Sequence, residues 1–86
     1  MSKFMFEYDI FVHSIRFRYT IIEFIEQGIK QYAVGVAIVF EDEGFQMLQG
    51  EIFDNLNDAK LCLVQMSLSK NEIDQDSIFL SKLLAI

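Results

Sequence analysis

The sequence predicts an α+β protein, a small antiparallel β-meander of three to four strands followed by two C-terminal helices packed on one face. Three observations carry this expectation. Apolar and polar residues alternate with a period of two from Phe4 to Val12 and again, in the opposite phase, from Ile15 to Ile21. An apolar residue, three further residues, Gly and another apolar residue recur at Phe24–Ile29 and Phe40–Phe45. From Asn55 onward, helix caps and helical spacing take over.

The first strand is expected over residues 3–12, where Phe4, Phe6, Tyr8, Ile10 and Val12 occupy one phase and Glu7 and Asp9 the other. After Ser14 the alternation resumes in the opposite phase, with Ile15, Phe17, Tyr19 and Ile21 apolar, so a turn or bulge must fall near His13-Ser14. That dipeptide contains neither Gly nor Asn, which leaves open whether the chain reverses there. Residues 20–32 support two readings. As a helix, Ile21, Ile22, Ile25, Ile29 and Tyr32 share a face and Thr20 to Glu23 has capping-box spacing. As strands, the segment is rich in β-branched and aromatic residues, and Gln27-Gly28 sits where a hairpin would turn.

The repeated Gly signal decides for strands over 15–26, 29–40 and 45–53, each Gly being expected at positive φ in a G1 bulge after a type I turn. The middle strand carries Ala33 to Phe40 without alternation, as a strand covered on both faces would. Asn55 then caps a helix over 56–70 that Lys70 closes with the favourable dipole sign. Asp74 and Asp76 are candidate caps for a short apolar helix over 78–86.

Composition narrows the function. The 86 residues, 52% of them hydrophobic, make one domain over 1–86 and are too apolar for a disordered chain. A net charge of -6 has the wrong sign for a binder of phosphate backbone or anionic lipid, so neither direct nucleic acid nor membrane is expected as a partner. One Cys points to a reducing compartment, and no apolar run approaches the roughly 20 residues of a membrane span. Charge interrupts the amino end too early for a signal peptide, and a soluble cytoplasmic protein is expected. The charge is localised. Residues 1–40 hold 4 basic and 4 acidic groups, whereas residues 41–86 hold 3 basic and 9 acidic, and 3 minus 9 gives the whole -6.

Candidate chemistry is sparse. His13 and Cys62 are the only such pair, and Cys62 between Leu61 and Leu63 reads as a small hydrophobe on an apolar helix. One His and one Cys cannot build a zinc tetrad, and neither Glu41-Asp42-Glu43 nor Asp74-x-Asp76 fits an EF-hand loop. The Gly residues at 28, 35, 44 and 50 fit no phosphate-cradling motif. In Arg16-Phe17-Arg18-Tyr19, alternation puts the two Arg on one face and the aromatics on the other. No catalytic residue, metal or cofactor is expected, and a small hydrolase or acid-base enzyme ranks third among the functional readings.

Excess apolar surface is more informative. On the 56–70 helix, Leu56, Ala59, Cys62, Leu63 and Met66 form one stripe, and Leu61, Val64 and Leu68 form a second that must also be buried, by the last helix or by another chain. The leading expectation is a non-enzymatic protein-binding module whose acidic residues Glu41, Asp42, Glu43, Glu51, Asp54 and Asp58 steer it to a partner with a basic surface. Size and charge suit an inhibitor or regulator of a nucleic-acid-handling protein, in the style of viral or mobile-element inhibitors such as anti-CRISPR proteins and DNA mimics. The alternative is a self-associating structural or assembly protein, a homodimer joined through the second stripe or a sheet edge.

Overall fold

Four antiparallel strands lie side by side in sequence order in a computed structural model that describes residues 2–68 and 77–86, without the side chains of Leu68 and Ser77. They are β1 (Ser2–Val12), β2 (Ile15–Glu26), β3 (Ile29–Val39) and β4 (Phe45–Phe53), followed by the helices α1 (Leu56–Leu68) and α2 (Ser77–Leu84). The β-meander with two C-terminal helices is the α+β plan that the alternation and the caps predict. Residues 20–32 form the β2–β3 hairpin, because a strand there pairs along its whole length, from Arg16 opposite Val39 to Glu26 opposite Ile29. The expected closure by Lys70 and caps at Asp74 and Asp76 lie outside the described residues.

The turns correct the sequence reading in detail. The chain does reverse at His13-Ser14, with φ of 51° and 68°, so Val12 faces Ile15 across a two-residue turn with both residues left-handed. Gln27-Gly28, at φ 53° and 78°, is the same kind of turn and not a G1 bulge. The expected type I turn with a bulge occurs only at 40–44, where the Glu43 amide donates to the Phe40 carbonyl at 2.9 Å. The left-handed residue there is Glu43, not Gly44. The Gly44 amide donates to Asp42 Oδ1 at 2.9 Å, so Asp42 rather than Gly supports the turn.

A bulge between Phe4 and Phe6 shifts the β1–β2 register, and this overturns the single apolar phase expected for β1. Phe6 pairs with Ile21 and is buried, whereas Phe4 pairs with Ile22 on the opposite face and is 64% exposed. A second bulge interrupts β3–β4 pairing between Val36 and Ala37, leaving Leu48 unpaired. Both edge strands therefore carry a bulge.

Both helices pack on one face. Phe6, Tyr19, Ile21, Val34 and Val36 of the sheet meet Ala59, Leu63 and Met66 of α1 and Phe79 and Leu83 of α2. Phe79 is the wedge, its ring centroid 5.6 Å from Phe6, 5.5 Å from Tyr19 and 5.7 Å from Tyr8. The Asn55 cap forms reciprocally, with Oδ1 accepting from the Asp58 amide and Nδ2 donating to the Asp58 carboxylate, each at 2.8 Å. The first α1 stripe is the core stripe. The second divides. Leu61 is 57% exposed and corrects the expectation of burial, Val64 is partly buried against the core, and the Leu68 side chain lies outside the described residues.

Candidate functional site

The face of the sheet opposite the helices carries no further layer among the described residues. The overall extent of 42 × 28 × 18 Å is that of one sheet and one layer of helices, about 10 Å apart. In an antiparallel sheet, directly paired residues share a face, so the register gives the contents of this bare face in rows. One row is Phe4, Ile22, Ala33 and Ile52, and the next is Glu7, Thr20, Gly35 and Gly50. Then follow Asp9, Arg18, Ala37 and Met47, and finally Phe11, Arg16, Val39 and Phe45.

Two properties follow. Phe4, Phe11, Phe45, Met47 and Ile52 are large apolar side chains at least half exposed, all on this face. The β3 positions, Ala33, Gly35, Ala37 and Val39, are by contrast small, and they form the floor of a trench between the side chains of β2 and β4. A groove of about 190 Å³ runs in it, lined by Phe4, Thr20, Ile22, Ala33, Gly35 and Met47 among others. The Met47 methyl lies over Gly35 so closely that any Cβ there would displace it. The expectation that β3 is covered on both faces is thus met by two different means. Helices cover Val34 and Val36, and long neighbouring side chains shelter Gly35 and Ala37.

The trench is flanked by an ionic cluster. Two-residue turning at His13-Ser14 sets Asp9 opposite Arg18 and one row from Arg16. Arg16 donates from Nε to Asp9 Oδ2 at 2.7 Å, Arg18 donates from Nε to Oδ1 at 2.8 Å and from Nη2 to Oδ2 at 3.1 Å, and Arg16 Nη1 reaches Glu43 at 3.3 Å. The hydrogen bonds from Arg18 hold the Asp9 carboxyl below its usual range against partial burial, with Arg16 adding to the effect. The two Arg do share one face, as alternation predicts, but Asp9 holds them against the sheet. Sequence reasoning missed this cluster because the turn that aligns the three residues has no turn residues to announce it.

The acidic residues expected to steer a partner do not form one patch. Glu41, Asp42 and Glu43 occupy the β3–β4 turn, and Glu51, Asp54 and Asp58 lie at the far end of β4, where α1 begins. The two groups are separated by the length of β4, roughly 27 Å at about 3.4 Å per residue. All six are exposed. Between them, β4 is exposed at every position except Phe53 and has no strand on its outer side among the described residues.

His13 and Cys62 are not brought together. His13 sits in the β1–β2 turn, and Cys62 lies 3.8 Å from Glu51 at the other end of β4. Burial, with Glu51 alongside, pushes the Cys62 thiol up and away from the reactive thiolate. Under α2, desolvation pushes the Tyr19 phenol up to about 12, and its hydroxyl has no hydrogen-bond partner among the described residues. No three His, Cys, Asp or Glu side chains converge to hold a metal ion among the described residues, and no helix among them is long and apolar enough to cross a membrane. Comparison with known proteins adds nothing to this geometry, since no family model, no curated protein and no solved structure matches the chain.

Proposed function

We propose that this chain is a non-enzymatic protein-binding module, an inhibitor or regulator that docks on the basic surface of a nucleic-acid-handling protein. The observation that carries the reading is β4, an outermost strand exposed along its length with three acidic side chains near each end. Free strand edges bind extended segments of other proteins through main-chain hydrogen bonds, and flanking charge selects the partner and speeds encounter. A basic segment laid along β4 would meet Glu41, Asp42 and Glu43 at one end and Glu51, Asp54 and Asp58 at the other. The acidic turn is the separable part. Its only ion pair is an exposed one from Glu43 to Arg16 among the described residues, so it contributes little to stability.

The test is capture of proteins from native lysate on three columns, carrying the wild type, the triple variant Glu41→Lys, Asp42→Lys and Glu43→Lys, and Leu61→Asp. Basic proteins should be retained by the wild type and by Leu61→Asp, lost from the triple variant, and eluted by about 1 M salt, where screening shortens to roughly 3 Å. Equal retention on all three columns, or retention that survives the salt, would overturn acidic steering. Self-assembly is the second reading, and the bare face of the sheet favours it.

A further inference from the structure

We infer that the bare face of the sheet is a self-complementary interface, on which a second copy of this chain packs with its β2 ridge in the β3 trench about a two-fold axis parallel to the strands. The inference rests on the rows of the bare face and is independent of the acidic-docking reading.

Charge selects the occupant. Across the four rows from Phe4 to Phe11 the face holds Arg16 and Arg18 against Glu7 and Asp9, so 2 minus 2 gives zero on a chain of net charge -6. Two copies meeting here keep their repelling acidic turns at the margins, whereas a basic partner would find no net attraction. Asp9 accepts from both guanidinium groups at its side, and Glu7, one row away and in no ion pair among the described residues, offsets the second positive charge, so covering the face buries four charges that sum to zero.

Shape selects the axis. A two-fold axis running along the strands between β2 and β3 lays β2 of one copy over β3 of the other, and β1 over β4. Arg18 then faces Ala37 and Ile22 faces Ala33, large on small, while Thr20, the smallest β2 side chain of these rows, faces Gly35 across the Met47 methyl that already lies over it. At the margins Phe4 faces Ile52 and Phe11 faces Phe45, apolar on apolar. The perpendicular in-plane axis would instead place β1 over β1 and oppose Glu7 to Asp9.

Area suffices. Four strands about 4.8 Å apart and roughly 33 Å long give about 600 Å² per copy, or about 1,200 Å² in all, above the roughly 1,000 Å² that a specific interface needs. Two sheets pack face to face at about 10 Å with their strands nearly aligned, which is the arrangement this axis produces.

Sedimentation equilibrium at tens of micromolar should give twice the 10.0 kDa chain mass, and a monomer at that concentration would overturn the inference. Because the face is neutral, the dimer should hold or tighten as salt rises, whereas docking on a basic partner should weaken, so the two readings fail separately. The double variant Phe11→Glu and Phe45→Glu, both at exposed positions, should weaken the dimer at least tenfold with an unchanged circular dichroism spectrum. If that variant does not fold, Met47→Lys gives the same readout. A dimer as tight as the wild type, or one lost instead in Leu61→Glu on α1, would overturn the assignment of the face.

The axis has its own test, in a Cys62→Ser background. Phe4→Cys and Ile52→Cys chains, once mixed, should be joined by a bis-maleimide reaching about 10 Å, while like chains, with the same strand about 17 Å away across the axis, should not. Preferential linking of like chains would overturn the two-fold arrangement.

Discussion

The two faces of the sheet are written by the same strands with the same alternation, and they have opposite packing. On the helix side, β1, β2 and β3 all present large side chains, Phe6, Tyr19, Ile21, Val34 and Val36, which α1 and α2 seal into a core. On the bare side, large residues stand on β1, β2 and β4, and β3 between them is reduced to Ala33, Gly35, Ala37 and Val39. A face filled to one level accepts a helix. A face with a ridge beside a trench is shaped for a ridge and trench of the same kind. Burial of apolar area drives both, so the difference lies in what can supply the cover.

The largest expected effect separates the faces directly. Phe79→Ala removes the wedge shared by Phe6, Tyr8 and Tyr19 and should cost about 3–5 kcal/mol, a large part of a total stability of about 5–15 kcal/mol. Phe11→Ala, at a site 68% exposed, should stay within about 0.5 kcal/mol in denaturant titrations of the dilute chain. Equal losses would break the contrast.

Next in size is the turn that sets the bare face. His13 and Ser14 both hold left-handed conformations that cost a non-Gly residue roughly 1 kcal/mol, and the left-handed two-residue turn prefers Asn-Gly. The double variant His13→Asn and Ser14→Gly should therefore raise stability by about 1 kcal/mol in urea titration while preserving the Asp9–Arg18 pairing. A loss of stability would mean that the native pair makes contacts worth more than the strain.

The smallest effect is a pH profile with one limb from each face. Asp9 is held below its ordinary pKa, so the unfolded chain binds the proton more readily. Its contribution to stability is complete above about 3.9 and is lost as pH falls through the lowered value. Asp9→Asn should flatten that acid limb. Tyr19 is raised to about 12, so its contribution is complete below about 10 and is lost as pH rises through 12. Tyr19→Phe should flatten the alkaline limb and leave the acid limb alone. If either variant altered both limbs, the two faces would be coupled through the sheet.

Much of this was legible before any coordinates. The strands over 15–26 and 45–53 match in extent, the Asn55 cap forms through Asp58, and Ala59, Leu63 and Met66 are the buried stripe of α1. Each is a local pattern, a period or a cap spacing, that the neighbouring sequence suffices to specify. Phe4 lies on the face opposite to the one its alternation predicts, because a bulge inserts one residue and changes which face follows, while the apolar letters on either side look alike. The second α1 stripe was expected to hold the excess apolar surface, yet Leu61 stands exposed and the surplus lies on the sheet. Apolar residues of both phases in β4, with Phe45, Met47 and Ile52 on one face and Phe53 on the other, were the available signal.

The sequence by itself determined the charge of the chain, which is a sum over its residues, and the period of each strand, the order of the elements and the cap of α1, because these depend on residues within a turn or two of one another. The tertiary structure alone decided which face the helices cover, how β2 and β3 together make a ridge and a trench, and that Asp9 gathers two Arg. Those outcomes depend on register between strands, and register is set by two bulges and by turns whose left-handed residues, His13, Ser14, Gln27 and Glu43, carry no sequence mark of that conformation.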